Sequence, residues 1–562
     1  MQKKLIYCIA SVVIAVIAIA YWPVIHADFV WDDWPNFHDQ PWLTQGDQWK
    51  HYIFRDFNAW TLYFRPLAVA FFTLQVRLFD STPGPMHAVS LGLHLIVTLL
   101  VGLLSWRCGK TVTSDIKRLT WVTAGCMLFY GLHPVLIEPI AWVGCQAELI
   151  ATMLLLLGLL TTAYVRSDIT RAVALTAIFF LAACTKESAV AFPLLIVVFD
   201  WALFASKQGE STLTAIRTLL RRNWLAYAGM LFAGFVYLAA RHWALGAIEN
   251  PFGGSSASLL ARLQEICFLY LRYWKMFFWP IAGMSPIHPV DARQFGFVTL
   301  SSLLTTTVAL AVVVAGFYSA IKRRSPLGCI VMATTVALLP VLHIASQAFE
   351  LSLYHERYAM TALAVICSML PLLRAPHIIE THVLQQRLAL PLLTTGFLFW
   401  LMFSIVDIRV FVPMWKNDTS LWRWAMAINP QSWQAKENLL NAYIKSGDNN
   451  EAHELGDRLL ADPYPCVKCM LKIAELSVDD RDPGRADTAL ARASRSPLLL
   501  MDNGLLHTYY LTTGRMLILQ GQLQDAEQAL RKAVSLDPLD PQSQTALATA
   551  LTLKGKQEQT SQ

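Results

Sequence analysis

The feature that most constrains this chain is a series of long apolar runs. Stretches of about 17–23 apolar residues recur through the first three quarters of the 562 residues. Each is long enough to cross a hydrocarbon core about 30 Å thick as a helix. Only 15% of the residues are charged, against about 25% in an ordinary soluble domain. The sequence therefore predicts an all-α, polytopic membrane protein.

Eleven spans are predicted, at residues 5–25, 86–106, 119–132, 146–165, 171–185, 188–204, 224–244, 298–320, 327–343, 359–373 and 388–408. The first has a basic start but no small-residue cleavage site after its long core, which favours an uncleaved span over a signal peptide. Basic loops alternate with the others and indicate the cytoplasmic side. The loop 26–85 and the tail from about 410 onward should then lie outside the cytoplasm.

Residues 260–280 are aromatic and also carry Arg262, Glu265, Arg272 and Lys275. This pattern favours an interfacial or re-entrant helix. A full span at this position would place the tail on the opposite side of the membrane.

The tail, residues 411–562, is polar and Ala-rich and forms a second predicted domain after the membrane domain 1–410. Its prolines recur at spacings of 33, 34 and 41, at Pro430, Pro463, Pro497 and Pro538. A period near 34 residues with a helix–turn–helix layout is typical of tetratricopeptide repeats, and stacked repeats form an α-solenoid with a concave surface suited to peptides. A generic helical bundle is the alternative.

The tail also carries a Cys466-Val-Lys-Cys469 motif. A local disulfide or a pair of inert thiols is favoured, because a redox-active pair is expected in a thioredoxin-like βαβ context and a zinc site needs a second ligand pair. The other eight cysteines lie in or beside apolar runs and are interpreted as small apolar fillers. The net charge of +6 comes from short basic loops, so no nucleic-acid partner is predicted.

Ionisable residues gather at the predicted outer ends of the spans. Two adjacent carboxylates, Asp32 and Asp33, stand in "FVWDDW" just past the first span. Neighbouring carboxylates repel, so one should have a raised pKa or bind a cation. The others are Arg65, His87, His94, His133, Glu138, Glu148, Lys186, Glu187, His355, Glu356 and Arg357. Singly each could be a structural polar group, but as a set on one side of the membrane they predict a functional cavity.

The series "FVWDDW", "FRPL…H…LH", "LHPVLIEPIAWVGCQAELIA", "CTKES…P" and "ERY", followed by the repeats, resembles the transmembrane and tetratricopeptide-repeat O-mannosyltransferase family. That family belongs to the GT-C class of membrane glycosyltransferases. The chain departs from it with about three repeats and with Gln146 and Glu148 where the family often has Arg and Asp. The short tail suggests a bacterial inner-membrane member with its site facing the periplasm; the alternative is the lumenal side of the ER membrane.

The resemblance implies an enzyme that transfers a sugar from a polyprenyl-phosphate donor to a Ser or Thr hydroxyl of an extracytoplasmic protein, with inversion. It implies a base at Asp32 or Asp33, with Asp33 slightly preferred. The remaining assignments are donor-phosphate binding by Arg357, Lys186, Arg65 and His355, and support from Glu187, Glu138, His133, His94 and Glu356. A divalent cation, Mg²⁺ or Mn²⁺, held by Asp32, Glu138 and Glu187 is left open.

Three alternatives remain beside this interpretation. Another GT-C activity would glycosylate a glycan or lipid, or transfer a pentose to a pilin. A transporter would need ionisable residues near the midplane and internal repeats. A non-catalytic scaffold would present the repeats to partners.

For the glycosyltransferase interpretation, the predicted partners are membrane lipids, the lipid-linked sugar and the protein acceptor.

Overall fold

The computed structural model describes residues 2–40, 43, 46–55, 63–205, 211–247, 258–280, 283–344, 352–373 and 383–560. These residues form helices and connecting segments, with no β-strand in the described ranges. The predicted all-α class is confirmed. The chain divides into two compact units, Met1–Asn417 and Asp418–Gln562.

The helices of ten or more residues in the first unit are α1 (Gln2–Tyr21), α2 (Pro66–Phe79), α3 (Pro83–Gly109), α4 (Ile116–Gly131), α5 (Gln146–Tyr164), α6 (Asp168–Ala183), α7 (Phe192–Phe204), α8 (Thr212–Leu245), α9 (Leu259–Phe278), α10 (Leu300–Lys322), α11 (Pro326–Leu338), α12 (Met360–Met369) and α13 (Val383–Phe411).

Seven of the described helical segments are long and apolar enough to cross a membrane, and an eighth counts if one bent pair is a single span. That pair joins α4 to Pro134–Ala141 through a bend of 52°. Eleven spans were predicted. The difference arises because the runs at 171–185, 327–343 and 359–373 form helices shorter than 18 residues. The segment 260–280 forms α9, which is not among the apolar set because of its four charged side chains.

Helix α3 lies at the centre of the first unit and packs against α1, α4, α5 and α12. Its side chains are mostly apolar and most of them are buried. Gln146, one of the two departures from the family pattern, is buried at the start of α5. Its side-chain amide donates to the Met86 carbonyl at 2.9 Å and to Ser90 Oγ at 3.0 Å on α3. This departure therefore serves the packing of α5 on α3.

The second unit consists of α14 (Asp418–Ile428), α15 (Trp433–Ser446), α16 (Asn449–Ala461), α17 (Val467–Asp479), α18 (Pro483–Ala493), α19 (Asn503–Leu519), α20 (Leu523–Leu536) and α21 (Pro541–Thr560). Helices α15 and α16, α17 and α18, and α19 and α20 form successive packed pairs. Gly447 and Gly521 follow α15 and α19 with φ of 76° and 75°, a left-handed conformation that favours glycine at a helix end. A glycine just past a helix is a sequence signal for its end, and the structure follows it at both positions.

Candidate active site

The candidate site is built from short helical turns where the long helices are interrupted. Pro134 begins a 3-10 turn after α4, and this interruption of the helix is followed by the short helix Ile137–Ala141, which carries Glu138. Lys186 has an extended backbone between α6 and the 3-10 turn Glu187–Ala191. The "ERY" motif forms the turn Glu356–Ala359 before α12. Interrupted helices allow charged side chains to converge where a continuous helix would point them apart.

Arg357 and Glu138 form a pair joined by two hydrogen bonds. The Arg357 backbone N–H donates to Glu138 Oε2 at 2.8 Å, and Arg357 Nη1 donates to Oε1 at 2.5 Å. Both side chains are buried. His355 Nδ1 lies 3.6 Å from the same carboxylate. Burial, followed by the charges of Arg357, His288 and Lys186, holds the pKa of His355 well below its usual range, so its imidazole is neutral at pH 7.

Glu148 extends this pair into a network of two carboxylates, Glu138 and Glu148, and two cations, Arg357 and Lys186. It stands in the first turn of α5, where the helix dipole favours a negative charge. Its Oε1 bonds Lys186 Nζ and lies 3.8 Å from Arg357 Nε. The side chains of Glu148, Lys186 and Arg357 line one cleft together with apolar residues, among them Ala151, Leu155, Phe192, Leu195 and Ala337.

An aromatic stack joins this network to the Asp32–Asp33 loop. The Trp31 and Trp142 rings are parallel within 4°, with centroids 4.9 Å apart. The Arg357 guanidinium lies 4.9 Å from the Trp142 ring centroid, a cation–π contact. Trp31 has a φ of 56°, a conformation that is strained for a bulky side chain and persists only where its surroundings enforce it. The stack thus fixes where the next two residues point.

The two adjacent aspartates have opposite environments. Asp33 is fully buried, and its Oδ1 accepts a 2.8 Å hydrogen bond from the Gly144 N–H. Burial raises the pKa of the Asp33 carboxyl well above its usual range; the Asp32 charge adds to this rise, and the N–H groups of Gly144 and Val30 oppose it. Asp32 is exposed. No feature of the sequence distinguishes the two aspartates, so the preference for Asp33 was slight. Their difference in exposure does distinguish them.

A second ion-paired group forms around Glu187, the residue that follows Lys186 in the chain. Arg65 donates to Glu187 through Nη2 at 2.7 Å and Nε at 3.0 Å, and Arg241 Nη1 lies 3.9 Å from the same carboxylate. The Arg65 guanidinium also stacks on Tyr63, 3.8 Å from the ring centroid. The partner of Arg65 is thus Glu187, one of the predicted supporting residues.

Three of the predicted supporting residues make their contacts elsewhere. His94 is buried in α3 and donates to the Gly131 carbonyl at 3.0 Å. His133 contacts the Phe277 carbonyl at 3.1 Å through Nε2, and its Nδ1 accepts from the Val135 N–H. Glu356 contacts His288 Nε2 at 2.9 Å. These contacts hold helix breaks and loops in place around the cleft.

The suggested cation ligands are not gathered in one place. Among the described residues, no three His, Cys, Asp or Glu side chains come together in a way that could hold a metal ion. Glu138 is bonded to Arg357 and Glu187 to Arg65. Their carboxylates therefore face arginine, and the donor set does not fit a divalent cation in this arrangement.

The structure also brings in residues that were not assigned from the sequence. Glu148 and Trp142 belong to the motif "LHPVLIEPIAWVGCQAELIA" but were given no specific role. Arg241 lies inside α8. Ionisable residues inside a membrane span are functional candidates by default, so Arg241 carried a usable signal. No sequence signal pointed to His288. Trp42 and Trp60, two further tryptophans of the loop 26–85, lie outside the described residues.

The fold and the cleft define a multi-pass helical membrane protein with buried ion pairs beside an apolar wall. The chain is 37% identical over 98 residues to protein O-mannosyl-transferase TMTC1 of Homo sapiens, covering 17% of this chain and 10% of that protein. It is 29% identical over 289 residues to protein O-mannosyl-transferase TMTC2 of Mus musculus, covering 47% of this chain and 33% of that protein. No family model and no solved structure matches the chain.

Proposed function

We propose that this protein is a membrane glycosyltransferase of the GT-C class that transfers a sugar from a polyprenyl-phosphate donor to a Ser or Thr hydroxyl of a protein. The similarity to two protein O-mannosyl-transferases supports transfer to protein. The matched segments span a third or less of those relatives, so their names alone do not carry the proposal. The observation that carries it is the cleft in which Lys186 and Arg357 lie beside an apolar wall.

Such a cleft fits a lipid phosphate better than a water-soluble substrate. The apolar side chains Leu155, Phe192 and Leu195 can hold an isoprenoid chain by burial. The Arg357 fork and the Lys186 ammonium can neutralise the phosphate that leaves. Both cations are paired with Glu138 and Glu148, and these pairs hold their charges in place before the donor enters.

We assign the catalytic base to Asp32 and a positioning role to Asp33. The exposed Asp32 carboxylate accepts the proton of the acceptor hydroxyl while that oxygen attacks C1 of the sugar. The bond from C1 to the phosphate oxygen breaks, which inverts the configuration at C1. A base in this role contributes about 10²–10⁴-fold. Asp33, bonded to Gly144, fixes the direction of its neighbour.

The orientation of the protein in the membrane and the role of the second unit are part of the same proposal. From the basic loops we propose that the cleft and the second unit lie outside the cytoplasm, in the periplasm for a bacterial inner-membrane protein. The paired helices of the second unit would present a protein acceptor, as tetratricopeptide repeats do for peptides. The roles of Arg65 and His355 as phosphate helpers stay predictions.

Intact masses of extracytoplasmic proteins test the proposal. Four strains are compared: wild type, Asp32→Asn, Asp33→Asn and a strain without the gene. We expect a sugar-sized increment that disappears without the gene and with Asp32→Asn, and that persists at reduced level with Asp33→Asn. Loss with Asp33→Asn alone would move the base to Asp33. Absence of any protein increment in wild type would redirect the acceptor to a glycan or lipid.

A further inference from the structure

The disulfide between Cys466 and Cys469 joins two residues at the start of one helix. Cys466 is the N-cap of α17 and Cys469 is the third residue of that helix, at a sequence separation of three. The bond therefore connects no two separate elements of the second unit. A cross-link constrains the unfolded chain more when it closes a longer loop. This short ring has little value as a structural cross-link.

The two cysteines of the disulfide differ in solvent exposure. Cys469 is fully buried, whereas Cys466 is partly exposed. Thiol–disulfide exchange requires an attacking thiolate to reach one sulfur of the pair. The burial pattern makes Cys466 the sulfur that an outside thiolate can attack and Cys469 the sulfur that leaves.

The backbone around Cys466 stabilises negative charge on its sulfur. The Cys469 N–H donates to Cys466 Sγ at 3.1 Å, and α17 is 13 residues long, so its N-terminal dipole acts on the same atom. Thiolates at helix N-termini are favoured in this way, so Cys466 is the better leaving group once its own disulfide with a client cysteine is attacked. The Trp433 carbonyl oxygen, 3.8 Å from Cys466 Sγ and 3.9 Å from Cys469 Sγ, can accept from either thiol after reduction.

We infer that Cys466 and Cys469 form a redox-active pair that exchanges disulfides with the thiols of another polypeptide. A client thiolate attacks Cys466 Sγ, the bond between the two cysteines breaks, and Cys469 leaves as a thiolate that takes up a proton. A second client thiolate attacks the client sulfur of this mixed disulfide and releases Cys466. The client loses two electrons and gains a disulfide, and the pair gains both electrons. An external disulfide, such as oxidised glutathione, restores the pair.

This inference does not depend on the proposed glycosyl transfer, since no residue of the cleft takes part. It departs from the expectation that the pair is structural or inert. That expectation required a βαβ context, whereas the chemistry needs a helix N-terminus, one accessible sulfur and one buried sulfur, and α17 supplies all three.

The first test compares two single variants of the full-length chain in detergent, both with Cys8→Ala, because Cys8 is the exposed free cysteine of the described residues. Cys469→Ala leaves Cys466 free, and Cys466→Ser leaves Cys469 free while keeping an N-cap acceptor. Their reaction with the aromatic disulfide dithionitrobenzoate is followed at pH 7. We expect Cys466 to react at least tenfold faster than Cys469. Equal rates, or a faster Cys469, would overturn the inference.

The second test uses the wild-type chain with a peptide that carries two thiols and with oxidised glutathione as the terminal disulfide. We expect peptide oxidation at least tenfold faster than with a Cys466→Ser/Cys469→Ala variant of the same chain. Equal rates would overturn the inference. Loss of helical structure in the double variant would show that the bond is a structural cross-link and would overturn it as well.

Discussion

At the scale of single residues, Asp32 and Asp33 show how neighbours in sequence acquire different chemistry. The left-handed backbone at Trp31 and its stack on Trp142 turn one carboxyl inward and leave the other exposed. Asp33 then bonds Gly144 across the loop. Ala at Gly144 would place its Cβ 3.2 Å from Asp33 Oδ1, which is closer than most Cβ contacts, so this glycine gives the carboxyl its space.

The raised pKa of Asp33 predicts a pH-dependent stability. Between the ordinary aspartate pKa, about 4, and the raised pKa of the folded state, the folded chain binds the proton more tightly than the unfolded chain. The unfolding free energy should therefore fall as pH rises through this window, by at most about 1.4 kcal/mol per pH unit. Asparagine is neutral at every pH, so the unfolding free energy of the Asp33→Asn variant should not show this decrease. Thermal unfolding in detergent against pH measures the difference, and identical profiles for both chains would contradict it.

A second residue-scale prediction concerns Arg357. Lysine keeps the charge but loses the planar fork on Glu138 and the stack on Trp142. With Arg357→Lys we expect sugar transfer to fall on the order of 10²-fold, measured by the intact-mass increment. The control is Arg409→Lys, because Arg409 is exposed and its guanidinium donates to the Ile19 backbone carbonyl. Equal activity of the two variants would remove Arg357 from the site.

At the scale of elements, close helix packing holds the site in place. Helix α6 leads into Lys186 and Glu187, and it packs tightly on α8, which carries Arg241. The tightest approach is at Gly229 of α8, where a Cβ would lie 2.1 Å from Thr176 Oγ1 of α6. The two helices can approach this closely because position 229 has no side chain, as is common between membrane helices.

This packing predicts that Gly229→Ala lowers the unfolding free energy by about 1–3 kcal/mol, measured by thermal unfolding in detergent. Adding Thr176→Ala should restore most of it, since the nearest remaining Thr176 atom, Cβ, is 3.4 Å from the new methyl. Gly125→Ala on α4 is the matched control, because its Cβ would meet nothing within 4 Å. Failure of the second substitution to rescue the first would show that the Thr176 hydroxyl is not the obstacle.

At the scale of the whole molecule, the chain combines a membrane unit with a unit that has its own core. The second unit buries alanines and leucines between its paired helices, including Leu511, Ala526, Leu530, Ala533 and Ala550. It also satisfies its helix ends locally, with Ser432, Cys466 and Asp482 as N-caps. A unit with its own core and caps has what an independent domain needs.

We therefore predict that Asp418–Gln562 folds when expressed alone. Circular dichroism should show a helical spectrum, and heating should give one cooperative transition. Leu530→Ala should lower the midpoint, since a buried leucine truncated to alanine costs about 2–5 kcal/mol. The exposed Leu539, truncated in the same way, is the control. A gradual transition, or equal effects of both variants, would mean that the core needs the first unit.

The sequence by itself determined the class of the molecule and most of its elements. Apolar runs, prolines and glycines are local signals, so the all-α fold, most of the span positions and the helix ends at Gly447 and Gly521 could be predicted. The resemblance also supplied Lys186, Arg357 and Glu138, which the structure does bring together. Span number was less predictable, because run length does not show where a helix will break.

Only the tertiary structure decided which charged residues share a cleft and which hold the scaffold. His94 and His133 look like site residues in the sequence, yet each bonds a backbone carbonyl near the end of a helix. Glu148 joined the site because the bend after α4 brings the start of α5 to Lys186 and Arg357. The different environments of Asp32 and Asp33 follow from packing against residues 111 positions away. Such pairings depend on contacts between distant segments, which no local pattern records.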